Sequence, residues 1–425
     1  MIRRIPLRFI LAASLPLAAA GCSLLRTRPS ARPVPKAVRV VPTPAPLPLP
    51  AQTERFVLHP GQTVVGRVQV VKVAKGQTLS DIARLFNVGY DAIVHANPKV
   101  PPWVPAVGTP VIVPTQFVLP DAPHVGIIVN IAAFRLFYFP PHKRGQPQIV
   151  ITHPVGIGRI GWHTPTGVTR VVWHEKHPVW HVPPSIMAEH RKEGAPLPPV
   201  VAAGPDNPLG NYALHLTWPG YLIHGTDEPV SVGRRVSHGC IHLYPEDIAQ
   251  IFHMVPNGTP VRVVNQPYLF GWKGGRLYLQ SYGALKDDKR PWKTRARLIV
   301  RMLPRALRRK LASHHQKVDW QRVRSLVKDP RVVPIPVSGQ GPETPALVAT
   351  LVQNRLPVGS TWNGKTDRPM TDTQFDKEFA GIVTPNHGKA RAASGAASGH
   401  SSSVSSRGTA EASSGSPGNR THHTR

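Results

Sequence analysis

The run GIIVNIAAFRLFYF, Gly126 to Phe139, decides the fold class. It is apolar, rich in β-branched and aromatic residues, and ends at Pro140-Pro141. Similar short runs follow: QIVITHPVGIG, GVTRVVWHE, YALHLTW, GYLIHGT and GTPVRVV, parted by turn residues such as Gly156, Gly158 and Pro165-Thr166-Gly167. Short β-rich runs separated by turns predict a mainly β domain of mixed sheets, a β-sandwich or barrel, rather than alternating β-α units. One helix is expected, from Pro245-Glu246-Asp247 to about Met254. Proline opens its first turn and two acids sit near its positive end.

Upstream, residues 68–115 change character. An apolar alternation gives way at Lys75-Gly76. Thr78 is placed to cap a helix from Leu79 to Phe86, Asp91 to Ala96 gives a second with Ile93 inward, and VIVP closes the unit. VAKGQTLSDIA, LFNVGYDAI, ANP and GTPVIVP, in this small βααβ order, resemble a LysM module. The resemblance implies binding of the N-acetylglucosamine-containing glycan of peptidoglycan, with Gly76, Gln77, Thr78, Asn97 and Pro98 along the groove. A packing role alone is the plainer alternative for so small a core.

Further upstream, eight of the 23 residues from Arg28 to Pro50 are proline, a composition that forms an extended polyproline tether. The chain opens with Arg3, Arg4 and Arg8 before an apolar run too short to span a bilayer, which reads as an export signal. Leu17 to Cys22 resembles a lipoprotein box, in which cleavage leaves Cys22 lipidated; ordinary cleavage after Ala20 is the alternative. The expectation is a protein of the periplasm or envelope, held to the membrane through a lipid anchor.

The formal net charge is +30. Export removes nucleic acid as a partner and leaves the anionic surfaces of the envelope. Between Lys286 and Lys328 stand 15 Lys or Arg against three Asp. Thr294 to Met302 and Ala306 to Ser313 fit short amphipathic helices; a surface contact and a solvated face are equally open readings. Asp319 to Leu326 and Val332 to Pro336 fit a helix and a strand returning to the catalytic domain. The division is therefore an export signal and lipobox at 1–22, a proline-rich linker at 23–66, the LysM-like module at 67–115, a catalytic domain at 122–265, a basic extension at 266–345 and a largely disordered tail at 346–425.

The chain has two cysteines. With Cys22 at the lipobox, Cys240 in VSHGCIHL has no partner, and an unpaired thiol in an oxidising compartment points to chemistry. A thiol nucleophile needs a base, an orienter for that base and donors for an oxyanion. His224, His238 and His242 are the candidate bases. Residues two apart on one strand lie about 6–7 Å from each other, which favours His224, supplied by another strand.

IHGT, then a ten-residue loop, then SHGCI resembles the signature of L,D-transpeptidase (YkuD-type) catalytic domains. PVGIGRIGWHTPTGV, HPVWHVPPSI, GPDNPLGNYAL and the helix after PED are similar to family segments in the same order, covering about residues 122–280. The resemblance implies Cys240 as nucleophile, His224 as general base, the Gly225 carbonyl as its orienter, Gly239 N–H at the oxyanion, and His238 and Ser237 shaping the loop. It places Tyr221, Trp180 and His242 at the substrate; His242 stands where many relatives carry Arg or Asn. It implies peptidoglycan stem peptides as substrates, no cofactor, and an amine, a wall-attached lipoprotein or water as acyl acceptor.

Three competitors stay in view. Zinc on His238, Cys240 and His242 lacks a fourth ligand in good geometry. A non-catalytic lipoprotein wall anchor needs only the lipid, spacer and glycan module. A polyanion binder driven by charge alone would release at high salt.

Overall fold

A computed structural model describes residues 46–292, 294, 296–339 and 349–365. The described residues from Leu47 onward fall in one compact unit. The lipobox cysteine and most of the proline-rich segment lie outside the described residues.

The small module at 68–115 is built as the periodicity requires. Val68–Lys72 pairs antiparallel with Pro110–Val113, and the helices α1 (Leu79–Leu85) and α2 (Tyr90–Ala96) lie between them in sequence. Thr78 closes a capping box: its hydroxyl accepts from the Asp81 N–H at 3.1 Å and the Asp81 carboxylate accepts from the Thr78 N–H at 2.8 Å. Leu79, Ile82, Phe86 and Ile93 fill the module's core.

The run that decides the fold is a hairpin. Gly126–Asn130 pairs antiparallel with Arg135–Phe139 across a one-turn 3₁₀ segment, Ile131–Ala133. All ten strand residues are buried. Ile127, Val129, Leu136 and Tyr138 face one apolar cluster, and Ile128, Phe137 and Phe139 face a second. Burial on both faces is why the run reads as continuously apolar instead of alternating.

The hairpin sits inside a nine-stranded mixed sheet. In spatial order its strands are Arg55–Val57, Ile149–Pro154, Arg135–Phe139, Gly126–Asn130, Pro260–Val264, Gly167–Lys176, Tyr212–Leu216, Leu222–His224 and Ile241–His242. Two neighbouring pairs are parallel, Gly126–Asn130 with Pro260–Val264 and Leu222–His224 with Ile241–His242. Helix α3 (Pro184–Lys192) buries only Ile186, so it carries no apolar period for a sequence reading to find. Helix α4 (Pro245–Met254) buries Ile248 and Ile251 against the sheet.

Three boundaries differ from the sequence reading. The linker ends before Thr53, because Thr53 and Glu54 are buried and Arg55–Val57 is an edge strand of the main sheet. The basic extension folds around a core of its own. Tyr268–Lys273 and Arg276–Ser281 form a hairpin, Ile335–Pro336 joins that hairpin instead of the catalytic sheet, and α5 (Ala296–Arg301), α6 (Arg305–Ser313) and α7 (Trp320–Lys328) turn Ile299, Leu307, Leu311 and Val323 inward. Part of the tail is also ordered into the fold: Ala349–Leu351 pairs in parallel with Val68–Lys72, and Val352 enters the small module's core.

One buried polar knot ties these segments together. The Thr361 hydroxyl donates to Asp247 at 2.7 Å and stands 3.0 Å from Glu54, and the Thr361 N–H donates to Glu54. His153 stands 3.0 Å from Asp247 and 2.7 Å from Gln250. Asn87 of the small module donates to the Thr152 carbonyl, while the Arg135 guanidinium donates to the Asn87 carbonyl.

Candidate active site

In the parallel pair, Ile223 is opposite Ile241 and His224 opposite His242. Extending the register one step sets Cys240 beside Leu222. Side chains alternate along a strand, so Cys240, His242 and His224 share a face. Cys240 and His224 are diagonal neighbours, a backbone separation of roughly 7–8 Å and no shorter than the spacing along one strand, so the register supplies a shared face and not a contact.

The turn before the thiol is braced from within. Ser237 Oγ donates to the Cys240 carbonyl at 2.6 Å and accepts from the Gly239 N–H at 3.2 Å. Thr164 Oγ1 donates to the Gly239 carbonyl at 2.8 Å and accepts from the Gly158 N–H at 2.9 Å. Gly239 has φ +110°, and a Cβ there would stand 3.1 Å from Tyr221 Cε1, so the position demands glycine. The Gly239 N–H is directed at Ser237 in this loop. It serves an oxyanion only if that bond is exchanged.

Burial governs the titratable groups. Cys240 is half-buried, its Sγ–H donates to the Gly220 carbonyl at 3.6 Å, and burial pushes the thiol up to about 11. His224 is lowered to about 3, chiefly by burial and then by neighbouring His242, while the Gly225 and Leu209 carbonyls favour its proton. Its Nδ1 is buried without a hydrogen bond of good geometry, so these carbonyls bias the ring electrostatically more than they clamp it. The resting site therefore holds a neutral thiol and a neutral imidazole, not a preformed ion pair.

His242 departs from the substrate-binding role expected of it. It is buried, and its pKa falls to about 4 through burial. Ser231 Oγ donates to the Glu228 carbonyl at 2.6 Å, so at 2.9 Å it accepts from His242 Nε2–H. The ring lies against Gly156, where a Cβ would fall 1.9 Å from His242 Cε1. Neutral and enclosed, His242 is no cationic handle for a carboxylate; it is a wall behind His224, ring centroids 6.0 Å apart.

Cys240, His224, His242, Tyr221 and Trp180 all border one cavity of about 940 Å³. Its charged lining is Glu175, Asp227 and Glu228, with no Lys or Arg among the described residues, although the chain is strongly cationic. His238 also borders it, but its Nε2 is 2.9 Å from the Glu189 carboxylate, which Arg159 meets at 2.5 Å. Burial lowers the His238 pKa despite Glu189. Glu189 thus joins α3 to the thiol loop. Glu189, Arg159, Thr164 and Ser231 were not singled out from sequence: each acts through a partner distant along the chain.

In the small module the Asn97 side chain is engaged internally, donating to the Ile93 and Ile112 carbonyls and accepting from the Ile112 N–H. Gln77 Oε1 accepts from the Ala74 N–H and from Asn354 of the ordered tail, and Thr78 is held in its cap. A Cβ at Gly76 would meet open space, so the Gly76 backbone is the freer part of the loop. α1 is fastened to the catalytic domain by Arg84, bidentate on Glu246 at 3.0 and 2.9 Å.

Residues 124–263 match the L,D-transpeptidase catalytic domain (YkuD), and residues 71–114 match the LysM domain. The probable L,D-transpeptidase YcfS of Escherichia coli K12 is 42% identical over 224 residues, 51% of this chain and 69% of that protein. The probable L,D-transpeptidase ErfK/SrfK of Salmonella typhimurium is 33% identical over 66% of this chain and 90% of that protein. The chain belongs to the L,D-transpeptidase family. Among solved structures, an L,D-transpeptidase from Mycobacterium smegmatis is 27% identical over 37% of this chain and 64% of that one, with TM-score 0.23. Membership makes the chain a transpeptidase-type enzyme, and its two domains indicate peptidoglycan binding and an envelope location.

Proposed function

We propose that the chain is a cysteine L,D-transpeptidase of peptidoglycan. Cys240 attacks the meso-diaminopimelate carbonyl of a tetrapeptide stem while His224 takes the thiol proton; the tetrahedral intermediate collapses, His224 returns the proton to the departing D-alanine amine, and a thioester remains. An amine then attacks the thioester and Cys240 leaves as a thiol. The product is a 3→3 cross-link when the amine is a second diaminopimelate, and a wall-attached protein when it is a lysine. The observation that carries this reading is the placement of Cys240 and His224 on one face of adjacent parallel strands, opening into one cavity. Because both groups rest neutral, proton transfer accompanies attack and does not precede it.

The N-terminal residues fit an export signal with Cys22 lipidated, which would tether the LysM module and the catalytic domain between membrane and wall. Purified protein incubated with tetrapeptide-bearing wall fragments should yield D-alanine and cross-linked dimers by mass spectrometry, and Cys240→Ala should yield neither while still binding wall. D-Alanine without dimers would make the enzyme a carboxypeptidase. Dimers undiminished in Cys240→Ala would leave only a wall anchor.

A further inference from the structure

The basic extension holds a second cavity that catalysis does not use. It is a slot of about 320 Å³ between α5 and α7, walled by Trp292, Ile299, Trp320 and Val323 and bordered by Arg324 and Lys328. Its size lies near the lower end of the roughly 300–1,000 Å³ range of small-molecule sites. Arg324 and Lys328 are one helical turn apart, so they stand on the same side of α7. Both are exposed, and neither side chain meets an acid among the described residues. Asp319 and Asp329, the acids flanking α7, face Arg322 at 3.8 Å and Arg331 at 2.6 Å.

The surroundings sharpen the chemistry. The leucines of α6 point into the core, which leaves Arg305, Arg308 and Arg309 exposed on that helix; on α5, Arg297 and Arg301 are exposed. A polyanion alone would need the cations but not an apolar slot beside them. A neutral hydrophobe would need the slot but not unpaired cations at its mouth. The pair suits an amphiphile with an acyl chain and an anionic head; half-buried Trp320, apolar with one polar edge, belongs at that boundary, while buried Trp292 turns its Nε1–H to Asp288 at 3.0 Å.

We propose that the slot between α5 and α7 binds one acyl chain of an anionic phospholipid, with its headgroup phosphate on Arg324 and Lys328. This docks the basic subdomain on a membrane surface, independently of any lipid on Cys22 and of the chemistry at Cys240. No described helix is long and apolar enough to cross a membrane, so the contact is peripheral.

The test is cosedimentation of the full chain with phosphatidylcholine vesicles, with and without phosphatidylglycerol. The N-terminal segment is the same in every variant and cancels from the comparison. Arg324→Glu with Lys328→Glu should weaken binding to the anionic vesicles by roughly tenfold to a hundredfold, since each cation near such a surface contributes appreciably. Val300→Trp, which fills the slot from a half-buried position, should weaken it several-fold. Monomeric lysophosphatidylglycerol should compete on the wild-type chain, and glycerol phosphate should not. Wild-type binding by Val300→Trp, or equal competition by glycerol phosphate, would reduce the feature to a diffuse cationic surface and overturn the proposal. Should Val300→Trp lose its thermal transition, the competition on the wild-type chain decides alone.

Discussion

Two buried histidine sites in this chain reach opposite states of charge. At the thiol, His224 and His242 have no carboxylate partner, and burial drives them to about 3 and about 4. In the knot behind α4, His153 is just as buried, yet Asp247 at 3.0 Å, with Glu54 beyond, outweighs the burial and raises its pKa. Burial alone decides nothing. The same ring becomes a neutral base where its neighbours are carbonyls and another imidazole, and half of a structural ion pair where its neighbour is an aspartate.

The comparison breaks first under His224→Asn. Removing the base should cut D-alanine release by a factor on the order of 10²–10⁴, with little change in the urea unfolding midpoint. A variant that retained wild-type turnover would return the base role to another group. His153→Asn should do the reverse, lowering the midpoint while turnover per folded molecule persists. Next in size is Asp247→Asn. It leaves His153 without its counter-charge and the Thr361 hydroxyl with a poorer acceptor, so about 3–5 kcal/mol of stability should go. Urea unfolding monitored by tryptophan fluorescence measures that loss, and a change under about 1 kcal/mol would show that the pair is not charged in the fold.

Gly156→Ala comes third. The new methyl would collide with the His242 ring, and forcing an atom into a packed site costs about 1–3 kcal/mol. Displaced, His242 would let water reach His224, whose pKa should rise. The acid limb of the rate–pH profile should then move upward, whereas an unchanged limb would mean that His242 does not shield the base.

The knot and the thiol site also differ in how far the residues themselves announce them. The β-runs were legible because β-pairing writes itself into short local patterns, and the strands Leu222–His224 and Ile241–His242, which carry the two quoted motifs, lie side by side. The helix at Pro245 was legible from its first turn. Glu54 was not, since a single acid after a proline-rich stretch carries no sign that Arg55–Val57 will become an edge strand. Nor was Thr361, whose role depends on a tail crossing back over a carboxylate pair. The surroundings of His242 were not legible, because spacing alone cannot show that its ring borders the cavity while packing on Gly156 and Ser231. Side-chain partners far apart in sequence leave no periodicity to read.

The pH dependence of stability comes last because the two sites pull in opposite directions and partly cancel. His224 binds a proton in the unfolded chain near its ordinary value of 6.5 but in the fold only near 3. Stability tied to it is full above 6.5 and drains as pH falls toward 3, by up to about 1.4 kcal/mol per pH unit; His242, lowered to about 4, adds to the same limb. Glu54 runs the other way, raised from 4.5 to about 7 by burial and by the Asp247 charge. Its contribution is full below 4.5 and is lost as pH rises toward 7, and His153, also raised, loses its contribution above 6.5. Two histidines outweigh one glutamate between 4.5 and 6.5, so these four groups together favour a maximum near 6.5. Urea titrations across that range should show His224→Asn flattening the acid limb and Glu54→Gln steepening the rise between 4.5 and 6.5. If Glu54→Gln left that rise unchanged, Glu54 would be ionised throughout, and the knot would hold a further charge where burial and Asp247 now favour a neutral carboxyl.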